Sequence, residues 1–471
     1  MPPLKAPSIS ETLELPHRRG RIVAETDVLV VGGGPAGLGA ALGAATEGVR
    51  VVLAERYGFL GGNATAALVM PFMSYHTQGC AEEAVGDVEL FPTDHGAGEP
   101  VIGGALSLLI KSLVRSGGAI PPTLRTGYVV PFDPEVFKWV ALDLLDEVGV
   151  EFLFHSFASG VIGRGHVEGV IFETKSGPIV IRAKVVVDCT GDGDVAAQAG
   201  APCEVGNEAG WVQPMTLMFL VAGFDPQVFD AYAKEHRDQW HGVHGLWDLI
   251  RKAREAGDLE LPREDILLFG TTREQVLSVN STRVVKVLGT DVWDLTYAEW
   301  QSRRQMRQIV HFLIKYVPGF EEAYLSQSGT TVGVRESRRV MGHYRLTVDD
   351  VLSARRFEDG IARCSYPIDI HSPVGPGTLR KRVPPGQAYE IPLRCLLPKG
   401  VENVLVAGRC ISGSHEALSS YRIMPVSVAT GQAAGLCAAL SVQKNRPPGK
   451  IPTKDVRTRL SQQNAELEAR G

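Results

Sequence analysis

No closely spaced cysteine pair occurs in this chain: Cys80, Cys189, Cys203, Cys364, Cys395, Cys410 and Cys437 are scattered and form no CxxC. That excludes a disulfide framework and an iron–sulfur ligand set, and reduced, buried, inert thiols are the expectation. HxH and HExxH spacings are also missing, so no metal site is expected. No run approaches the length of a transmembrane helix. The opening MPPLKAPSIS lacks the apolar stretch of a signal peptide, so a cytoplasmic location is expected. Positive charge is not in excess: the net charge of -5 argues against a nucleic-acid partner, and the short basic cluster at 17–21 reads as a solvated approach to the first strand. No internal repeat or low-complexity tract is visible. What is present is ordinary globular composition, 44% hydrophobic and 21% charged, over 471 residues. That length exceeds one compact core, so two interleaved domains are expected.

The most informative stretch is DVLVVGGGPAG at 27–37. Residues 28–31 are an unbroken apolar run, as in a parallel strand buried on both faces. The run ends on Gly32-x-Gly34-x-x-Gly37, with Pro35 and Ala36 between, and an alanine-rich helix is predicted over 38–47. A second strand over 50–54 ends on Glu55, eighteen residues beyond Gly37. The first glycine allows a tight turn, the second lets backbone approach a pyrophosphate, and the third lets helix pack on strand. Free amides at the helix start take the anion, and Glu55 is placed for the ribose of an adenosine.

Further along, residues 1–21 read as a loose arm, and paired Gly61 and Gly62 before Asn63 again let backbone approach a ligand. An acidic surface excursion is expected from 80 to about 104. Helices are predicted at 104–116 and 135–148, the second with Pro134 in its first turn. A strand at 150–155 and a meander over 159–172 and 178–183 precede a separate buried strand at 184–187. That strand ends on a second glycine turn, Thr190-Gly191-Asp192, after which Asp194 is placed to cap a short helix. Residues 207–384 differ in texture and read as an inserted substrate domain with a long helix at 297–316. A strand at 403–408 and a small-residue helix at 425–440 follow, and the polar residues 442–471 form a peripheral helix or tail.

One βαβ unit serves NAD or FAD equally. The decision comes from 403–440, too apolar to stand alone and therefore returning to the first domain, as FAD proteins do to reach the flavin. A helix starting near Pro425 would aim its positive end at the flavin and stabilise negative charge gathering there. The missing cysteine pair sets aside flavin disulfide reductases. With GFLGGNAT, FDPEVFK, VVVDCTGDGDVAAQAGAP, VNSTRV, GVRESRRVMGHYRLT, YPIDIH and ENVLVAGRCISGSHEALSSYR in order, the chain resembles the FAD-dependent oxidoreductase family. That family is related to glutathione-reductase-type flavoproteins and, distantly, to the fumarate reductase/succinate dehydrogenase flavoprotein, and the resemblance covers about 22–441. It implies an α/β fold. A Rossmann-like FAD-binding domain of glutathione-reductase type (22–206 and 385–441) would carry an inserted α+β cap (207–384). By the fumarate reductase analogy His415 takes the place of a substrate-facing histidine. Arg409 and Met424-Pro425 depart from that pattern, so fumarate activity is not implied and FAD is expected to be noncovalent.

Flavin chemistry asks little of side chains beyond orientation, charge and one acid or base. Candidates cluster around Arg335, Glu336, Ser337, Arg338, Arg339 and His343, and around Arg409, His415, Glu416, Tyr421 and Arg422. Arginines there either clamp a substrate carboxylate or pair with Glu336 and Glu416. The expected catalytic set is His415, His371, Arg338, Arg422 and Tyr421, with Asp369 orienting His371. The expected cofactor set is Gly32, Gly34, Pro35, Ala36, Gly37, Glu55, Arg56, Gly61, Gly62, Asn63, Thr190, Gly191, Asp192, Gly408, Arg409, Met424 and Pro425. The expected reaction is two-electron transfer between a small organic substrate and flavin N5. A flavin ene-reductase fed by a separate electron donor, and a flavin-binding protein without catalysis, share every motif.

Overall fold

The computed structural model describes residues 13–14, 18–79, 90–91, 98–123, 126–375 and 377–468. Most of the arm expected at 1–21, and residues 80–89 and 92–97 of the expected surface excursion, with Cys80, lie outside the described residues.

The fold is mixed α/β. Its larger sheet has the order β3-β2-β1-β6-β5-β4, built from β1 (Arg21–Val31), β2 (Val51–Ala54), β3 (Glu151–Leu153), β4 (Phe157–Ile162), β5 (Gly169–Thr174) and β6 (Gly177–Asp188). Strands β3, β2, β1 and β6 run parallel, whereas β4 and β5 form an antiparallel flap. β6 corrects the expectation of a meander strand followed by a separate core strand. It is one twelve-residue strand whose far edge is shared, with β5 taking residues 177–182 and the late strand β19 (Val404–Val406) taking 186–188. The hydropathy change near Ala183 marks a change of neighbour along one strand. The C-terminal segment therefore rejoins the first sheet, parallel to β6, as its apolar run requires.

Helix α1 (Pro35–Ala45) begins three residues earlier than expected, because Pro35 at its first position presets the helical φ. It packs on α10 (Met424–Lys444) along a seam of glycines. A Cβ on Gly39 would lie 2.1 Å from Val428 O, on Gly431 2.0 Å from Ala36 O, and on Gly435 1.9 Å from Ala40 O. The two helix backbones touch where any side chain would part them. At 21 residues α10 is long and apolar enough to cross a membrane, which corrects the expectation that no run reaches that length. Lys444, not Leu440, ends it, and 89% of its apolar window is buried inside the protein.

α2 (Ala105–Arg115) and α3 (Pro134–Asp146) cover the same face, with Asp133 capping α3 by accepting from Glu135 N at 2.8 Å. The short α4 (Asp194–Gln198) is capped differently from the expectation. Buried Asp188 accepts from Ala196 N at 2.9 Å, while Asp194 sits in the first turn and pairs with Arg338. The cause is chain geometry: αL Gly193 is the residue at the cap position.

A pair of short strands, β7 (Cys203–Val205) and β14 (Arg338–Val340), flanks this region. Between them a second sheet assembles from β8 (Phe219–Ala222), β9 (Trp240–His241), β10 (His244–Gly245), β11 (Ile266–Gly270), β12 (Val276–Val279) and β13 (Tyr324–Ser328), in the order β13-β8-β12-β11-β10-β9. α5 (Pro226–Glu235), α6 (Trp247–Glu255) and α7 (Val292–Tyr316) accompany it, and α7 starts five residues early because Asp291 accepts from Trp293 N at 2.9 Å. Most buried hydrophobics between Met215 and Val332 share a core of their own, while Met218, Leu220 and Phe269, and those from Val340 onward, join the larger one. This last stretch includes α8 (Val348–Leu352), β15 (Gly360–Cys364), β16 (Ile368–His371), β18 (Tyr389–Pro392), α9 (His415–Tyr421) and the peripheral α11 (Thr453–Gln462), while β17 (Thr378–Lys381), exposed along its length, pairs with β16 outside the core. Five of the six described cysteines are buried and Cys203 is partly so.

Candidate cofactor and substrate site

The glycines after β1 differ in what surrounds them. Gly32 takes φ 99°, and a Cβ there would lie 2.5 Å from Cys189 O. Gly37 faces the turn itself, with a Cβ 1.9 Å from Gly32 O. Gly34 is different: the nearest atom to its Cβ position is Gly62 Cα at 3.7 Å, so a bare backbone faces open space. That space is a cavity of about 670 Å³ lined by Gly32, Gly34, Pro35, Ala36, Gly62 and Asn63. Gly37 and Gly61 stand outside its lining; Gly37 packs the turn, and Gly61 N donates to Gly33 O at 2.8 Å, holding the two loops together.

Two helices open on the cavity by their amino ends. α1 starts at Gly34 and α10 at Ile423, and neither has a side-chain cap or an acid in its first turn. Ile423, Met424, Pro425 and Ser427 all line the wall. Uncapped amino ends present free N–H groups and partial positive charge to whatever lies there. At one end Glu55 and Arg56 complete the wall. Glu55 is buried, its carboxylate accepts from Gly33 N at 2.6 Å and Tyr57 N at 2.9 Å, and burial pushes its pKa upward.

Thr190, Gly191, Gly408 and Arg409 line the middle. Asp192 does not reach the cavity; it accepts from Arg409 Nη2 at 2.9 Å and from the Ser337 hydroxyl at 2.5 Å, fixing the guanidinium from behind. The other terminal nitrogen, Arg409 Nη1, is buried and without a hydrogen-bond partner. An orphan donor of this kind marks where a bound acceptor belongs.

The other end lies under the second sheet. His371 and Arg422 reach it, joined by residues outside the expected set: Thr216, Arg263, Asp265, Asn280, Arg335 and Arg380. His371 Nδ1 faces Arg283 Nη2 at 3.1 Å and its Nε2 faces Asp369 at 3.4 Å. A guanidinium only donates, so Nδ1 accepts and the proton sits on Nε2. Burial and Arg335 push this histidine down to about 3, so the ring is neutral. Burial opposes ionisation of Asp369, but its hydrogen bond with His371 and the arginines around it hold the carboxyl well below its usual range. Burial and the neighbouring guanidiniums push Arg335 down to about 9, which still leaves it charged at neutral pH.

Three expected catalytic residues stand outside the cavity lining. His415 Nδ1 meets Glu336 at 2.9 Å in a sealed cluster with Arg339. The Tyr421 hydroxyl donates to Ile411 O at 2.9 Å, and the ring is fully buried. Arg338 is spent on Asp194 and on Asp192 O, the latter at 2.8 Å. Arg335 was among the sequence candidates in GVRESRR, whereas Asn280 and Arg283 sit in VNSTRV, a segment that carried the family resemblance but was given no site role. No group of three or more metal-ligating side chains occurs among the described residues.

A family model described as FAD dependent oxidoreductase matches residues 27–460. The chain belongs to this family. It is accordingly an enzyme, and its cofactor is FAD. The site's features suit that cofactor: an open backbone at Gly34, two uncapped helix starts, buried Glu55 and the orphan nitrogen of Arg409. Among curated relatives, digeranylgeranylglycerophospholipid reductase 1 of Methanopyrus kandleri is 30% identical over 216 residues, 44% of this chain and 50% of that protein. The chain thus matches about half the length of that relative. Among solved structures, a geranylgeranyl bacteriochlorophyll reductase-like protein of Thermoplasma acidophilum is 13% identical, with 94% of this chain and 84% of that one covered and a TM-score of 0.44. The myxobacterial chondrochloren halogenase CndH is 12% identical, with 93% and 78% covered and a TM-score of 0.46.

Proposed function

We propose that FAD lies lengthwise in this cavity in the glutathione-reductase manner, noncovalently, and exchanges two electrons with a small organic substrate held under the second sheet. The observation that carries the reading is one continuous cavity joining Glu55, the starts of α1 and α10, and a charged chamber. Glu55 and Arg56 hold the adenosine end, and the backbone at Gly32, Gly34 and Gly62 with the start of α1 takes the pyrophosphate. Gly408, Arg409 and the α10 start face the flavin. Residues 207–384, β16 and β17 among them, act as the cap domain, and the enzyme works in the cytoplasm with its thiols reduced. When bound, FAD supplies hydride exchange at N5. The chain supplies orientation and charge: Arg335 and Arg422 position the substrate, and neutral His371, engaged at both nitrogens, holds Asp369 and Arg283 in place.

The test is spectroscopic. Purified protein is expected to be yellow with about one flavin per chain, released into solution on acid denaturation, and an anaerobic metabolite screen is expected to find compounds that bleach it. Colourless protein that takes up no added FAD would sink the reading, and flavin that stays on the precipitated chain would refute noncovalent binding.

A further inference from the structure

On the wall of the chamber under the second sheet arginines outnumber acids. Four arginines line it, Arg263, Arg335, Arg380 and Arg422, and Arg283 stands behind them on His371. The lining carboxylates are two, Asp265 and Asp369. Asp265 is taken by Arg263 at 3.0 Å. Asp369 accepts from Tyr366 at 3.0 Å, meets His371, and lies 3.7 Å from Arg422.

Arg335 is paired with no acid among the described residues. Its donors go to neutral oxygens: Pro214 O at 2.9 Å, the Thr216 hydroxyl, and Asn280 Oδ1 at 3.4 Å. Arg422 is also incompletely served, since its Nε is buried without a partner and its Nη2 reaches Asp369 O only at 3.4 Å. A buried guanidinium without a counter-charge is costly, and a binding chamber keeps one where the ligand brings the missing charge. The planar fork of arginine matches a carboxylate in particular. Met218, Leu267, Phe269 and Val334 share the lining, so the space beside the charge suits an apolar organic body.

We infer that the substrate is an organic carboxylate, its anionic group seated against Arg335 and Arg422 and its apolar body against Met218 and Phe269. The inference rests on the reading of the rest of the cavity as the FAD site. It is tested on the FAD-loaded enzyme with benzoate and its neutral isostere benzamide, following the flavin absorbance on titration. Benzoate is expected to perturb the spectrum saturably and benzamide at least tenfold more weakly. Arg335→Gln is expected to weaken benzoate at least tenfold with FAD content unchanged. Arg380→Gln, on the exposed strand β17, gives the same reading with the core untouched and is expected to weaken it in the same direction. Equal binding of the two probes, binding of neither to flavin-loaded protein, or unchanged benzoate affinity in both variants overturns the inference. Protein that holds no FAD at all fails the underlying reading instead.

Discussion

Gly435→Ala is expected to destabilise the protein by about 1–3 kcal/mol or more, the range of core overpacking, and to release FAD. The added methyl would sit 1.9 Å from Ala40 O and 2.7 Å from Ala40 C. Both are backbone atoms, so no rotamer change relieves the clash and α10 must move away from α1. Those two helices both start at the cavity, and their separation also displaces the N–H groups that open on it. Gly431→Ala meets Ala36 O at 2.0 Å on the same seam. The double variant should therefore cost less than the sum, because the first substitution has already parted the helices. Gly449→Ala, with nothing within 4 Å of its Cβ position, is the control and should stay within about 0.5 kcal/mol of the parent. Chemical unfolding of the apoprotein reads all four, and a Gly435→Ala protein as stable as the parent would show that the seam is not as close as described.

Glu336→Ala is expected to cost about 3–5 kcal/mol, the penalty of removing one partner from a buried ion pair. Glu336 is fully buried and accepts from Arg339, from His415 Nδ1 at 2.9 Å and from Gln213 N at 3.0 Å. Without it Arg339, only 3% exposed, keeps the carbonyl oxygens of Gly206 and Gly413 and a distant Glu204 at 3.6 Å. His415→Gln should be milder and should leave the kinetics of flavin reduction as in the parent, since that ring lines no part of the cavity. A His415→Gln enzyme that folds and binds FAD but loses reduction by substrate would return His415 to the chemistry.

The glycine-turn half of the candidate site was legible in the sequence because its requirements are local. Gly32, Gly34, Gly37 and Glu55 fall within one strand–helix–strand unit, so spacing alone reports their geometry. The returning strand at 404–406 was legible for a different reason: its apolar run has nowhere else to go. β6 was misread as two pieces because a hydropathy pattern cannot show that one edge is shared by two partners. The charged chamber was least legible. Arg335, Arg338 and Arg339 are near neighbours, yet one points to the cavity, one to Asp194 and one into a buried triad. β14 spans only three residues, so alternation gave too short a rule to sort them. His415 was named by analogy with a family whose pattern this chain had already left at Arg409 and Met424-Pro425, and Tyr421 only because it falls in the same cluster near a helix start.

On the proposed placement of FAD, Gly34 is open because the cofactor passes there, in contrast to Gly37, which is closed by its own turn. Measuring FAD affinity and apoprotein stability of Gly34→Ala tests this most directly. The apoprotein is expected to unfold as the parent does, since the new methyl meets only Gly62 Cα at 3.7 Å. FAD should bind at least about tenfold more weakly, roughly 1.4 kcal/mol. A Gly34→Ala protein that binds FAD with the parent's affinity would contradict the placement of the cofactor along this wall.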